Sequence, residues 1–307
     1  VFPNPNNPIP SMDVNEVLRR IRSTDVRDKL DYGDNIFDDI PTQKITIPVD
    51  SAAIMAGGLV DTLYASLLNK PIEVDLSNSY LSPTGANQPA KQALIKSELM
   101  VLEMLRNNSD WSRPMFFASS VPTDQYLRLD NYLRREGVVF RIMPYQAAQV
   151  DPVDVDRMYD NLMNKYRWGG LDKGNLYIDE NSLNMCRSFR NQFGDLAVAL
   201  LEQGDTIRAK EVLDRALQVV PKHNVPYDFL SMPTIGMCYA EIGETEKANE
   251  IFQEMTDSAM RSLNWYMQLN NRQFASAIGE VSRDKYLMER YYLPFFHEYD
   301  SELFDQY

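Results

Sequence analysis

The stretch "FGDLAVALLEQGDTIRAKEVLDRALQVVP", from Phe193 to Pro221, leaves the second half of the chain little architectural choice. Leu196, Ala197, Leu200, Gly204, Ala209, Leu213, Ala216, Leu217 and Pro221 stand at the offsets of two short antiparallel helices. Small Ala197 and Ala209 let the helices approach, Gly204 and Asp205 turn the chain, and Pro221 stops the second helix. The pattern returns in "MPTIGMCYAEIGETEKANEIFQEMT", where Ile235, Gly236, Tyr239, Gly243, Ala248 and Phe252 take the same places. These are the offsets of tetratricopeptide repeats, whose usual period is about 34 residues. Here the spacing is 39, from Gly204 to Gly243, and the surplus falls in "KHNVPYDFL", a longer loop between the two units. Two units cannot cover their own outer faces, so flanking helices are required. "VDVDRMYDNLMNKYRW" supplies one, with Val155, Met158, Tyr159, Leu162 and Tyr166 at helical spacing before Gly169 and Gly170. Residues 253–270 and about 280–304 read as others, the last rich in Tyr and Phe and expected to seal the stack.

The first half alternates instead. "MDVNEVLRRIR" (12–22) reads as a short helix with Val14, Val17, Leu18 and Ile21 on one side. "KITIPVD" (44–50) and "PIEVDLS" (71–77) read as strands, with a helical segment between them weakened by Gly57 and Gly58. A polar Pro/Gly/Asn stretch at 82–89 precedes a helix over about 91–107 with Leu94, Ile95, Leu99, Leu102 and Leu105 as its stripe. "WSRPMFFASSVPTDQYLRLDNYLRREGVVFRIMP" (111–144) then reads as strand, helix, strand. "PMFFASSV" would be buried on both faces, Thr123 or Asp124 the N-cap, Tyr126, Leu129, Tyr132 and Leu133 the helix face, and Gly137 its end. Such a β-α-β unit implies parallel strands and a right-handed crossover. The expected fold is α+β: a small α/β domain with a partly parallel sheet at 41–150, after a linker and short helix at 1–40, followed by an all-α tetratricopeptide-like domain at 151–307.

Composition removes several functions. With 44% apolar and 11% aromatic residues the chain can build cores, and its net charge of -13 argues against nucleic acid and anionic membrane surfaces. No apolar run approaches membrane-spanning length, and "VFPNPNNPIPSMDV" has neither the basic nor the apolar region of a secretion signal. That Pro- and Asn-rich opening reads as an extended linker in a piece of something longer. Only Cys186, Cys238, His223 and His297 are available for soft-metal or nucleophile chemistry, too few and too scattered for a zinc centre or a catalytic dyad. The two cysteines are expected as separate thiols, with a disulfide as the alternative. No metal and no cofactor is expected.

In a β-α-β unit, ligands bind at the carboxyl ends of strands, which puts Ser119, Ser120, Thr123 and Asp124 in a suggestive place. The turn lacks the glycines of a phosphate loop, and Asp124 stands without a second carboxylate, so a structural role competes with a binding one. Trp168, beside Gly169 and Gly170, either stacks a sugar ring or anchors a helix end.

Taken together, "NNSDWSRPMFFASSVPTDQYLRLDNYLRREGVVFRIMPY", "MYDNLMNKYRWGGL", "YIDENSLNMCRSFRNQF" and "LAVALLEQGDTIRAKEVLDRAL" resemble the C-terminal soluble region of a large membrane-protein family of Bacteroidetes. The membrane portion of that family is similar to protein O-mannosyltransferases. The resemblance, running over about 40–270, implies a multi-spanning glycosyltransferase-like region using a lipid-linked sugar donor, with this part on the periplasmic side, tethered to the inner membrane. In enzymes of that type the catalytic acid lies between membrane helices, so it implies no catalytic residue here. The leading expectation is a non-catalytic domain that binds a protein or peptide through its repeat surface, with Arg187, Arg190, Asn191, Gln192 and Tyr239 as contacts. The alternatives are a sugar- or nucleotide-binding α/β module around Ser119, Ser120, Asp124, Arg141 and Trp168, with a glycan as one ligand, and a scaffold of a membrane complex.

Overall fold

The alternating segments of the first half form short strands, and the helical periodicities of the second half form helices. The computed structural model describes residues 1–3, 9–31, 33, 35–58, 60–77, 80–83 and 89–307. The linker expected at the Pro- and Asn-rich opening, and most of the polar stretch 82–89, lie outside the described residues. The chain divides into two units, Val1–Asp154 and Val155–Tyr307.

Unit 1 is built on three small sheets among the described residues. In the first, β1 (Phe2–Pro3) runs parallel to β4 (Ile36–Ile40), which pairs antiparallel with β3 (Lys29–Asp31). In the second, β2 (Met12–Asp13) runs parallel to β5 (Lys44–Ile47), which pairs antiparallel with β6 (Ile72–Asp75). The connection from β2 to β5 contains α1 (Val14–Arg22), so a strand-helix-strand crossover does exist, but at the start of the chain. Asp13 caps α1 by accepting from Asn15 N at 2.8 Å, and Val14, Val17 and Leu18 are buried, so the first forty residues carry part of the core. Period-two alternation puts Ile45, Ile47, Ile72 and Val74 inward, each worth about 1.5–3 kcal/mol of burial. The segment after β5 forms α2 (Ser51–Ala56), breaks at Gly57 and Gly58, and resumes as a 3-10 segment over Thr62–Asn69. Helix α3 (Lys96–Arg106) starts later than its apolar pattern, because Leu94 is buried from extended chain before the helix begins.

Residues 111–144 depart from the expected β-α-β unit. β7 (Phe116–Ala118) pairs antiparallel with β9 (Val139–Ile142), and β9 pairs antiparallel with β8 (Leu133–Arg135). Instead of a helix, 3-10 turns at Thr123–Gln125 and Asp130–Tyr132 flank Leu127 and Arg128, both at positive φ. The physical reason is burial: Tyr126, Leu127, Arg128 and Leu129 are all buried, and four consecutive residues cannot share one face of a helix. Gly137, expected as a helix end, is the φ +108 turn of the β8–β9 hairpin. β7 is an edge strand with Phe116 and Ala118 exposed, not a strand buried on both faces. Helix α4 (Ala147–Val150) closes the unit.

Unit 2 opens with α5 (Val155–Asp160), extended by a π turn over Asn161–Lys165 that buries Leu162. Two helical hairpins follow, α6 (Glu180–Glu202) with α7 (Thr206–Val219) and α8 (Met232–Glu241) with α9 (Thr245–Tyr266), and α6 also packs on α8. Asp205 caps α7 by accepting from Arg208 N at 3.0 Å, directly after Gly204 at φ +77. Gly236 lets α8 approach α9 so closely that a Cβ there would lie 2.6 Å from the Phe252 ring. The helix expected at 253–270 is the continuation of α9. Helices α10 (Asn271–Ser276), α11 (Ile278–Leu287), α12 (Leu293–Tyr299) and α13 (Ser301–Gln306) complete the unit, with a π turn before α12. Phe295 stacks on Phe252 at 3.9 Å, so the aromatic C-terminal segment covers α9 as its composition implied. Among the described residues no helix is long and apolar enough to cross a membrane.

Candidate functional site

The serines and aspartate of the first half occupy a tight turn. Ser119 N donates to Val138 O at 3.0 Å and Val121 N to Ala118 O at 3.0 Å, which places Ser119 and Ser120 at the tip between β7 and the next segment. Thr123 and Asp124 are not N-caps: Pro122 holds that position, without a side-chain bond, and exposed Asp124 accepts from Lys91 Nζ only through its backbone oxygen, at 3.4 Å. Arg141 is buried on β9, donating to buried Glu136 at 3.3 Å with its guanidinium over the Phe116 ring. Glu136 also pairs with Arg134, which reaches Asp151 at 2.7 Å and Asp154 at 3.0 Å. This network pins the β8–β9 hairpin to the chain after α4, so Arg141 is engaged internally. Trp168 belongs to unit 2, where its ring packs on Phe189 and Phe193 of α6, anchoring the segment that follows the π turn.

Unit 1 instead contains a cavity of about 640 Å³ that none of these residues lines. Its walls come from the 3-10 segment and Lys70 directly after it, from β6 with Glu73 and Asp75, and from the chain around Tyr132, Tyr145 and Gln149. Tyr80, Tyr132 and Tyr145 are buried and fixed through their hydroxyls. Tyr80 donates to Asp130 at 2.8 Å, Tyr145 to Asp151 at 3.1 Å, and Tyr132 accepts from Glu73 N at 2.9 Å. Burial, reinforced by the bond to Asp130, pushes the Tyr80 phenol up; burial beside Asp151 does the same at Tyr145. Tyr145 is held by a stacked Tyr64 at 5.3 Å. Nothing in the sequence marks this set, because its members are isolated tyrosines and amides drawn together only by the fold.

The partner residues expected on the repeats divide sharply. Arg190, Gln192 and Tyr239 are buried and therefore not contacts. Arg190 donates to Pro226 O at 3.2 Å, Val220 O at 3.1 Å, Val225 O, and Asp228 Oδ2 at 3.2 Å, stitching the loop between the hairpins to α6. Tyr239 donates to Asp214 at 2.8 Å, and Lys247 meets the same carboxylate at 2.6 Å. Arg187 and Asn191 are half-buried. Arg187 bonds Glu180 at 3.0 Å and Asn184 at 2.9 Å, and lines a groove of about 370 Å³ with Phe229, Arg283 and Asp284. Asn184, Arg187, Asn191, Asp195 and Val198 form one stripe of α6 outside the core, exposed at Asn184 and Val198 and half-buried between them. On adjacent α8, packed through Gly194 against Thr234 and Ile235, Met237 is likewise exposed.

Cys186 and Cys238 are free thiols, and burial pushes Cys238 up to about 12, far from a reactive thiolate. Among the described residues no His, Cys, Asp and Glu cluster is arranged to hold a metal. No curated protein and no solved structure matches the chain. The model of one protein family does, over residues 4–161, a span that takes in all of unit 1 described above except its first residues and contains every wall of its cavity; the chain belongs to the family of TMEM260-associated domain 2.

Proposed function

We propose that this chain is a non-catalytic, extracytoplasmic part of a membrane glycosyltransferase-like protein, and that its second unit binds a protein partner. Membership in the TMEM260-associated family supports the membrane setting, while the bacterial source, the periplasmic face and the mannosyltransferase-like partner region rest on the sequence resemblance. Reading α6–α7 and α8–α9 as tetratricopeptide repeats is supported by their short turns at Gly204 and Gly243 and by the packing of α6 on α8.

The observation that carries the partner reading is the stripe of α6 that stays outside the core, together with exposed Met237 on the adjacent helix α8. It mixes amides, a cation, an anion and apolar groups along about four helical turns, the kind of surface that recognises an extended peptide or a helix rather than a small molecule. The test pairs Asn191→Arg with Met237→Arg in the full-length protein, one change at a half-buried position and one at an exposed position, both outside the core and leaving Arg190 and Tyr239 in place. A photoreactive side chain at position 191 should cross-link to a discrete partner, and the double variant should lower recovery of that partner at least tenfold. Undiminished recovery would reject this face.

A further inference from the structure

The cavity of unit 1 plays no part in the partner surface, and its chemistry points to a ligand of its own. Its volume of about 640 Å³ falls within the roughly 300–1,000 Å³ typical of ligand sites. Lys70, Glu73 and Asp75 are its charged lining residues, and Lys44 lies against both carboxylates, 3.0 Å from Glu73 and 3.3 Å from Asp75. Among the described lining residues there is no arginine, and Lys70 is the single ammonium beside two carboxylates that Lys44 already neutralises, so the cavity lacks the guanidinium forks and ammonium clusters that phosphates and nucleotides select.

What the cavity does offer is a dense set of groups for hydroxyls. The Tyr132 hydroxyl accepts from Glu73 N, and its own O–H donates to no partner among the described residues. The side-chain amides of Gln146 and Gln149 make no hydrogen bond among the described residues, and Asn131 spends one donor on Leu81 O at 3.3 Å, leaving its oxygen. A side-chain amide can donate to one sugar hydroxyl and accept from its neighbour, while a carboxylate accepts from both. Among the lining residues Leu81, Val150 and Leu67 are 59%, 47% and 38% exposed, apolar surface of the kind that suits the C–H face of a sugar ring.

We propose that this cavity binds a neutral saccharide of one or two sugar units. The test applies the 307-residue chain to an array carrying neutral oligosaccharides alongside sialylated, sulfated and phosphorylated ones. Capture of neutral glycans is expected, reduced at least tenfold in a Gln146→Ala/Gln149→Ala variant whose melting curve and circular dichroism match the parent. Both glutamines are exposed, so the variant keeps the fold. Preference for the anionic glycans, capture unchanged in the variant, or no capture of any neutral glycan would each overturn the proposal. The partner surface in unit 2 is untouched by either substitution, so the two readings fail separately.

Discussion

At the scale of single residues, Arg190 illustrates how a charge that looks available can be structural. Its side chain is fully buried, and its two terminal nitrogens reach three carbonyls and Asp228. Burial pulls its pKa down, Asp228 partly opposing, and removal would strand buried acceptors and an unpaired carboxylate. Arg190→Ala is therefore expected to cost about 3–5 kcal/mol in urea unfolding, against about 1 kcal/mol or less for Arg187→Ala, one helical turn away but half-exposed. Equal losses would contradict the assignment of the two arginines to different roles. Gly236 gives a second test. A methyl there must displace the Phe252 ring, which is also stacked on Phe295 at 3.9 Å, so Gly236→Ala should destabilise by about 1–3 kcal/mol through overpacking.

At the scale of elements, the β8–β9 hairpin shows where local pattern and fold part company. Its turn depends on Gly137 at φ +108, so Gly137→Ala should cost about 1–2 kcal/mol and speed hydrogen exchange at the amides of β8 and β9 before those of β5 and β6. Uniform acceleration across both sheets would contradict that local origin. The repeat helices were legible because each apolar position, from Leu196 to Phe252, carries the same burden twice at the same offset. Strands β5 and β6 were legible because one face is buried and the other is not. Tyr126 to Leu133 misled because Tyr126, Leu129 and Leu133 have helical spacing, while the burial of Leu127 and Arg128 between them depends on partners distant in the chain, such as Tyr80 under the Arg128 guanidinium at 4.9 Å. The cavity was illegible for the same reason. Its walls are gathered from residues 66–81 and 131–150, and no periodicity joins two segments that meet only in the fold.

At the scale of the whole molecule, the titration of its tyrosines sets an upper pH limit that both units share. The net charge of -13 already strains the chain above neutrality, and buried phenols beside carboxylates recur: Tyr80 and Tyr145 in unit 1, Tyr239 and Tyr292 in unit 2. Burial is the largest cause at each of these four, with Asp130, Asp151, Asp214 and Asp284 adding to it, and all four phenols are pushed above the ordinary value of 10.0. Tyr159, bonded to Glu211, and Tyr307, desolvated and bonded to Asp257, are pushed up to about 12. A folded pKa above the unfolded one means the folded state holds the proton more tightly. The stability it contributes is complete below pH 10 and is lost as pH rises from 10 toward 12 and beyond, where the unfolded chain ionises first. The acid limit has the opposite sign. Arg27 holds the Asp25 carboxylate at about 2, and Arg19 holds Glu16 below its ordinary 4.5, so their contributions vanish as pH falls from about 4.5 toward 2. Both of those pairs are exposed, so salt should erode the acid limb and leave the alkaline one nearly unchanged. Ultraviolet titration of the seventeen tyrosines alongside circular dichroism measures this directly. A fraction should ionise near pH 10 with the helix signal intact, and the remainder together with its loss at higher pH. Smooth ionisation of all seventeen near 10, with the fold preserved, would contradict the buried pairings in both units.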